Sequence, residues 1–148
     1  MSATIVLISP KHEVNVANTK RAAACLGAES VVTVGKRFTP ATGEKGNRRP
    51  RPFRMKVYDH VTMLDVESLP SIDWESAVIV EKLDWAPALY SLQHPKNPVY
   101  IFGPEDGSVP KWIQEKAKHR AQIPSGECMN LATCVAVVLY DRNSKEQK

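Results

Sequence analysis

The chain has little cysteine. Its three residues, Cys25, Cys128 and Cys134, are an odd number with no C-x-x-C pair, so neither a disulfide framework nor a zinc pattern is indicated. Long apolar runs are also missing. The opening MSATIVLISPKH has neither the length of a membrane span nor the basic lead-in of a secretory signal, and the expected compartment is cytoplasmic. There is no nucleophile elbow and no H-E-x-x-H, while His12, His60, His94 and His119 lie in separate segments without ligand spacing. Those absences argue against a hydrolase and predict no metal site. The loop GPEDGSVP at 103–110 lacks the closing Lys-Ser/Thr of a P-loop and the spacing of a dinucleotide loop.

What is present suits one domain spanning residues 1–148. The net charge of +4 is unevenly spread. Between Lys36 and Lys56 there are eight basic residues against the single acid Glu44, so this segment carries +7 and the remainder −3. Most of those bases fall in FTPATGEKGNRRPRPFRMK, whose Pro and Gly punctuation predicts a loop without helix, its charges solvated. Lys45, Arg48, Arg49, Arg51 and Arg54 are therefore candidates to contact nucleic acid phosphates, where Lys and Arg gain affinity by displacing counterions.

Short apolar strands are predicted at Thr4 to Ser9, Ser30 to Val34, Val57 to Met63, Ala77 to Val80, Val99 to Phe102 and Ala121 to Ile123. Helices are predicted at about Val14 to Leu26, closed by Gly27 as a C-cap, at Ala88 to Gln93, at Lys111 to Lys118 with Trp112 and Ile113 inward, and at Met129 to Tyr140. The polar end from Asn143 to Lys148 is expected to fray. Alternation of strand and helix argues for an α/β fold, a parallel sheet with helices on both faces. Ligands of such sheets sit beyond the carboxyl ends of the strands, which points to the loops after Phe102 and Ile123. The last helix is polar only at Asn130 and Thr133, and covering it on every side predicts a C2 dimer.

One ordered set of residues carries a resemblance. Asn15-x-x-Asn18-x-x-Arg21 with Gly27, then FGPE at Phe102 to Glu105, then Ile123-Pro124 followed by CMNLATCVAVVLYD, resembles the three motifs of the SpoU (TrmH-like) branch of the SPOUT RNA methyltransferases. The likeness runs from about Thr4 to Arg142, and the short chain is similar to minimal members that methylate tRNA ribose, including the wobble-position enzyme. It implies a C-terminal deep trefoil knot at about 99–141, a homodimer, S-adenosylmethionine as cofactor, and methyl transfer to a ribose 2'-hydroxyl of RNA. tRNA is the first substrate reading; rRNA, or a noncatalytic RNA-binding dimer, is the alternative. By position the resemblance implies Gly103, Ile123, Cys128 and Met129 as cofactor-binding residues and Asn15, Arg21, Glu105 and Asn130 as catalytic ones. The chain departs from the family pattern at Cys128, where Ser is usual, at Ala17, where Gly is usual, and at Gly107, one position early, with Ser108 in its place.

Overall fold

The computed structural model describes residues 2–35, 37, 49–82 and 85–146. In chain order it contains β1 (Ala3–Ile8), α1 (Glu13–Leu26), β2 (Ala28–Val34), α2 (Arg51–Arg54), β3 (Thr62–Val66), β4 (Ala77–Val80), β5 (Val99–Phe102), α3 (Lys111–Lys116), β6 (His119–Ala121) and α4 (Leu131–Glu146). The six strands form one sheet in the order β3-β2-β1-β5-β4-β6, and every adjacent pair is parallel.

Alternation along the strands divides the core. Ile5, Leu7, Val78, Val80, Tyr100 and Phe102 point to the face covered by α1 and α4. Val6, Ile8, Ala77, Ile79 and Ile101 point to the other, under Ile113 of α3 and the segment holding Leu69, Ile72 and Trp74. A two-residue side-chain period forces this split, and burial on both faces explains the continuous apolar run of β1.

Several elements differ from the sequence expectation. The third strand begins at Thr62, not Val57, because Lys56–Tyr58 coils into a 3-10 turn that buries Tyr58. Only Leu89–Ser91 is helical between Pro87 and Pro95, again as a 3-10 turn, where Ala88 is drawn into a bridge with Gln122. The last strand is His119–Ala121, so Ile123 falls in the loop beyond it.

In α3, Ile113 is buried but Trp112 is 51% exposed; the Lys116 ammonium sits 5.8 Å from the Trp112 ring and 5.7 Å from that of Trp74, at the outer edge of the cluster against which Trp74 packs. Contrary to the predicted helix-free loop, Arg51–Arg54 makes one helical turn, with Pro52 in its first positions where no N–H is needed. Nor does α4 end at Tyr140. It continues to Glu146, because Asn143 Nδ2 donates to Leu26 O at 2.9 Å and Lys145 Nζ to the carbonyls of Leu89 and Leu92 at 2.9 and 2.8 Å. The Gly27 C-cap is as expected, at φ +87° with its N–H on Ala23 O.

Candidate functional site

The sheet order places β2 and β5 on opposite sides of β1. The loops leaving β1 and β5 therefore diverge at a topological switch point, where parallel sheets leave room for a ligand. A cavity of about 540 Å³ opens there and extends beneath the loop that follows β6, a volume within the roughly 300–1,000 Å³ usual for small-molecule sites.

Gly103, Ile123, Cys128 and Met129 all line it, together with Asn15, Glu105 and Asn130. Val80, Phe102 and Leu131 supply apolar wall. Gly103 cannot carry a side chain: an added Cβ would lie 2.7 Å from Val109 N and 2.9 Å from Ser108 C. The loop from 103 to 109 thus folds tightly over its own start, leaving bare backbone facing the cavity. Cys128 is exposed and Cys134 half-buried. Burial raises the pKa of the Cys134 thiol, with the nearby Cys128 adding to it.

Three distant segments are joined by one chain of hydrogen bonds. Glu105 Oε1 accepts from Lys11 N at 2.8 Å, and Oε2 accepts from His12 N at 3.1 Å and Asn15 Nδ2 at 2.8 Å. These are donors at the start of α1, which a carboxylate suits. Asn130 Nδ2 then donates to Asn15 Oδ1 at 3.0 Å, while Asn130 Oδ1 accepts from Ala132 N at 2.9 Å and Thr133 N at 3.3 Å. That is N-capping, and it explains why α4 starts at Leu131 rather than at the predicted Met129.

Burial acts to raise the Glu105 pKa, but the Asn15 amide and the backbone donors outweigh it, and the net shift is downward. Next to it, Arg37 donates to both Asp106 oxygens at 2.8 Å. This guanidinium holds the Asp106 pKa down at about 2.

Arg21 is not part of the cavity lining. It is exposed on α1, its guanidinium 6.0 Å from the Tyr58 ring, and Val14, Asn18 and Cys25 are exposed with it. Of the expected phosphate contacts, Arg51 and Arg54 are exposed, whereas Arg49 is anchored: its Nε is 2.9 Å from Glu13 Oε1 and its guanidinium lies 4.0 Å over the Phe53 ring. Lys45 and Arg48 lie outside the described residues. No group of three or more His, Cys, Asp or Glu among the described residues is arranged to hold a metal ion.

Sequence reasoning missed Glu81, a half-buried carboxylate in the cavity wall. Its signal was positional: it follows the last residue of β4, one strand over from Gly103.

The model of the SpoU rRNA methylase family matches residues 2–140. The chain belongs to the SpoU family of RNA methylases. Comparison with curated protein sequences gave no match. Among solved structures, an S-adenosylmethionine-bound rRNA methyltransferase from Sinorhizobium meliloti superposes with a TM-score of 0.80 at 18% identity, over 99% of this chain and 57% of that one. The chain thus spans a little over half of that protein's length. A structure giving insight into 2-OH methylation of C/U34 on tRNA matches with a TM-score of 0.79 at 20% identity, over 99% of this chain and 92% of that one. The TrmH/SpoU tRNA modifying enzyme of A. aeolicus gives 0.76 at 16%, over 99% and 78%. These likenesses establish the shared six-stranded α/β fold.

Proposed function

We propose that this SpoU-family chain is an S-adenosylmethionine-dependent RNA ribose 2'-O-methyltransferase acting on tRNA, with rRNA as the alternative substrate. The observation that carries the reading is that the cavity at the sheet's switch point gathers residues of all three family motifs: Asn15, then Gly103 and Glu105, then Ile123, Cys128, Met129 and Asn130. The residues present suit the cofactor. Gly103 leaves open backbone at the cavity, Ile123 and Leu131 give apolar walls for a purine, and the volume is adequate. The tRNA preference is supported by the likeness in fold to the structure that bears on 2-OH methylation of C/U34 on tRNA.

When bound, the cofactor supplies an electrophilic methyl group on a sulfonium sulfur. The chain's own task is alignment of the ribose hydroxyl and disposal of one proton. Asn15, Glu105 and Asn130 are hydrogen-bonded to one another and to helix-terminal N–H groups, so we assign them positioning roles: they fix the start of α1, the loop after β5 and the start of α4 around one space. Arg21 we assign to substrate phosphate and developing alkoxide charge. Its guanidinium would serve there as a charge and a forked hydrogen-bond donor, not as a base.

The exposed stripe of Val14, Asn18, Arg21 and Cys25 on α1, with Tyr140 67% exposed on α4, supports a homodimer in which Arg21 reaches the partner's cavity. The trefoil knot would lie where Gln122 N meets Pro87 O at 2.9 Å and Leu89 N meets Gln122 O at 2.7 Å, the segment after β6 running against the segment after β4. Arg51 and Arg54 are the described residues we assign to RNA phosphates.

The test has two readouts. S-adenosylmethionine should raise the melting temperature, since a ligand held only by the folded state at one hundred times its dissociation constant contributes about 2.7 kcal/mol. Incubation with cofactor and total tRNA, followed by digestion and mass spectrometry, should yield a 2'-O-methylated nucleoside. A base-methylated nucleoside would overturn the ribose assignment, and absence of cofactor binding would overturn the whole reading.

A further inference from the structure

The ionic side chains lining the cavity are Glu81, Lys82 and Glu105. With His12 neutral their formal sum is −1, within a chain of net charge +4. The two carboxylates are not equivalent. Glu105 is satisfied by Lys11 N, His12 N and Asn15 Nδ2, and its charge complements the N-terminus of α1. Glu81 has no such cluster. Its Oε2 accepts from Val109 N at 2.8 Å, and among the described residues no Lys, Arg or His forms an ion pair with it.

Lys82 beside it is directed elsewhere, its Nζ donating to Ser125 O at 2.9 Å. Burial raises the Glu81 pKa, and the Val109 and Ser108 donors only partly offset this, as expected for a negative charge short of a counter-charge. Its place is also specific. Val80 pairs with Phe102 in register, so Glu81 leaves β4 level with Gly103, while its own N–H bonds Ala121 O at 3.1 Å. It thus sits between the two loops that carry Gly103 and Ile123.

We infer that Glu81 is a specificity-determining residue, whose carboxylate favours the cationic sulfonium of the methyl donor over the neutral thioether that remains after transfer. This rests on the cofactor reading above. Donor and product differ by one methyl group and one unit of charge at sulfur, so a negative charge in a partly desolvated wall acts on that difference without touching the groups they share. The consequence is preferential release of spent cofactor and a site less inhibited by its own product.

The test compares three ligands by calorimetry: S-adenosylmethionine, S-adenosylhomocysteine and sinefungin, which carries an amine in place of the methylated sulfur. Glu81→Gln keeps an oxygen to accept the Val109 N–H and removes only the charge. The expected result is that S-adenosylmethionine and sinefungin weaken about five- to tenfold, on the scale of one screened charge pair within a few ångströms, while S-adenosylhomocysteine stays within about twofold. Glu81→Asp, which retains the charge, should retain the preference. Equal weakening of all three ligands would make Glu81 a loop latch and overturn the inference, as would an unchanged ratio. Failure of the wild-type protein to bind any of them would instead overturn the cofactor reading on which it depends.

Discussion

Asn15, Glu105 and Asn130 come from three separate segments, and each is held through the next. Their grouping was legible only as a resemblance, since nothing in the spacing of an isolated Glu and two Asn says that they meet. The three-dimensional link is a hydrogen-bond chain across 115 residues of sequence. It makes a testable demand on pH. The Glu105 pKa lies below its ordinary value of 4.5 in the folded chain, so the ionised network stabilises the fold fully above that value and loses its contribution as pH falls through the folded one. Glu105→Gln should therefore cost about 1–2 kcal/mol at pH 7, the scale of charge-assisted hydrogen bonds at a partly exposed site. The gap between variant and wild type should close as thermal melts are taken from pH 5 to pH 3. Asp106, held at about 2 by Arg37, is present in both proteins and cancels. A gap that stays constant over that range would assign the loss to packing and not to the carboxylate charge.

At the scale of elements, His94 ties the segment before β5 to α4. Asp141 Oδ2 can only accept, so His94 Nε2 donates to it at 2.7 Å, leaving Nδ1 to accept from the Tyr100 hydroxyl at 2.6 Å. A neutral imidazole satisfies both partners. Burial lowers its pKa, against the opposing pull of Asp141, and burial likewise raises that of Tyr100. With the folded value below 6.5, the neutral ring stabilises the fold fully above 6.5 and that contribution is lost as pH falls through the folded pKa. His94→Gln should cost about 1–3 kcal/mol at pH 8, and less at pH 5, when urea unfolding is compared across that range. A cost that grows on acidification would show an imidazolium paired with Asp141 instead.

The same elements mark what the sequence could disclose. The buried strands β1, β4 and β5 were legible because apolar runs of strand length with covered faces leave few alternatives. Edge strand β3 was legible only in part: its residues are largely exposed and show no apolar run, and the expected strand from Val57 to Met63 begins in the 3-10 turn at Lys56–Tyr58. The start of α4 has a local signal in its Asn130 N-cap, whereas its far end depends on tertiary partners, Leu26, Leu89 and Leu92, which no local pattern encodes. The motif residues of the cavity were named in advance only where the family likeness reached them, and Glu81 fell outside it.

At the scale of the whole molecule, the role proposed for Arg21 depends on where its side chain lies relative to the cavity. It lies six residues beyond Asn15 on α1, about 9 Å farther along the axis, and outside the cavity of its own chain. The proposed dimer resolves this if the exposed face of α1 abuts a second copy, so that each site draws its cavity from one subunit and Arg21 from the other. Arg21→Ala removes the proposed phosphate and alkoxide contact, and Asn130→Ala uncaps α4 at the cavity wall. Each homodimer should lose on the order of a hundred-fold in rate if these groups act mainly on the transition state. Thermal melts should show Arg21→Ala near wild type, since the side chain is exposed, and Asn130→Ala lowered by about 1 kcal/mol for the lost cap. In a heterodimer of the two variants, one site receives both lesions and the other neither, so methylation should return to about half the wild-type rate per dimer by symmetry. Coexpressed chains with different affinity tags allow that heterodimer to be isolated and assayed. If it is no more active than the two parent homodimers, each site is built within a single chain, and Arg21 must reach its cavity by a movement of α1 rather than from across an interface.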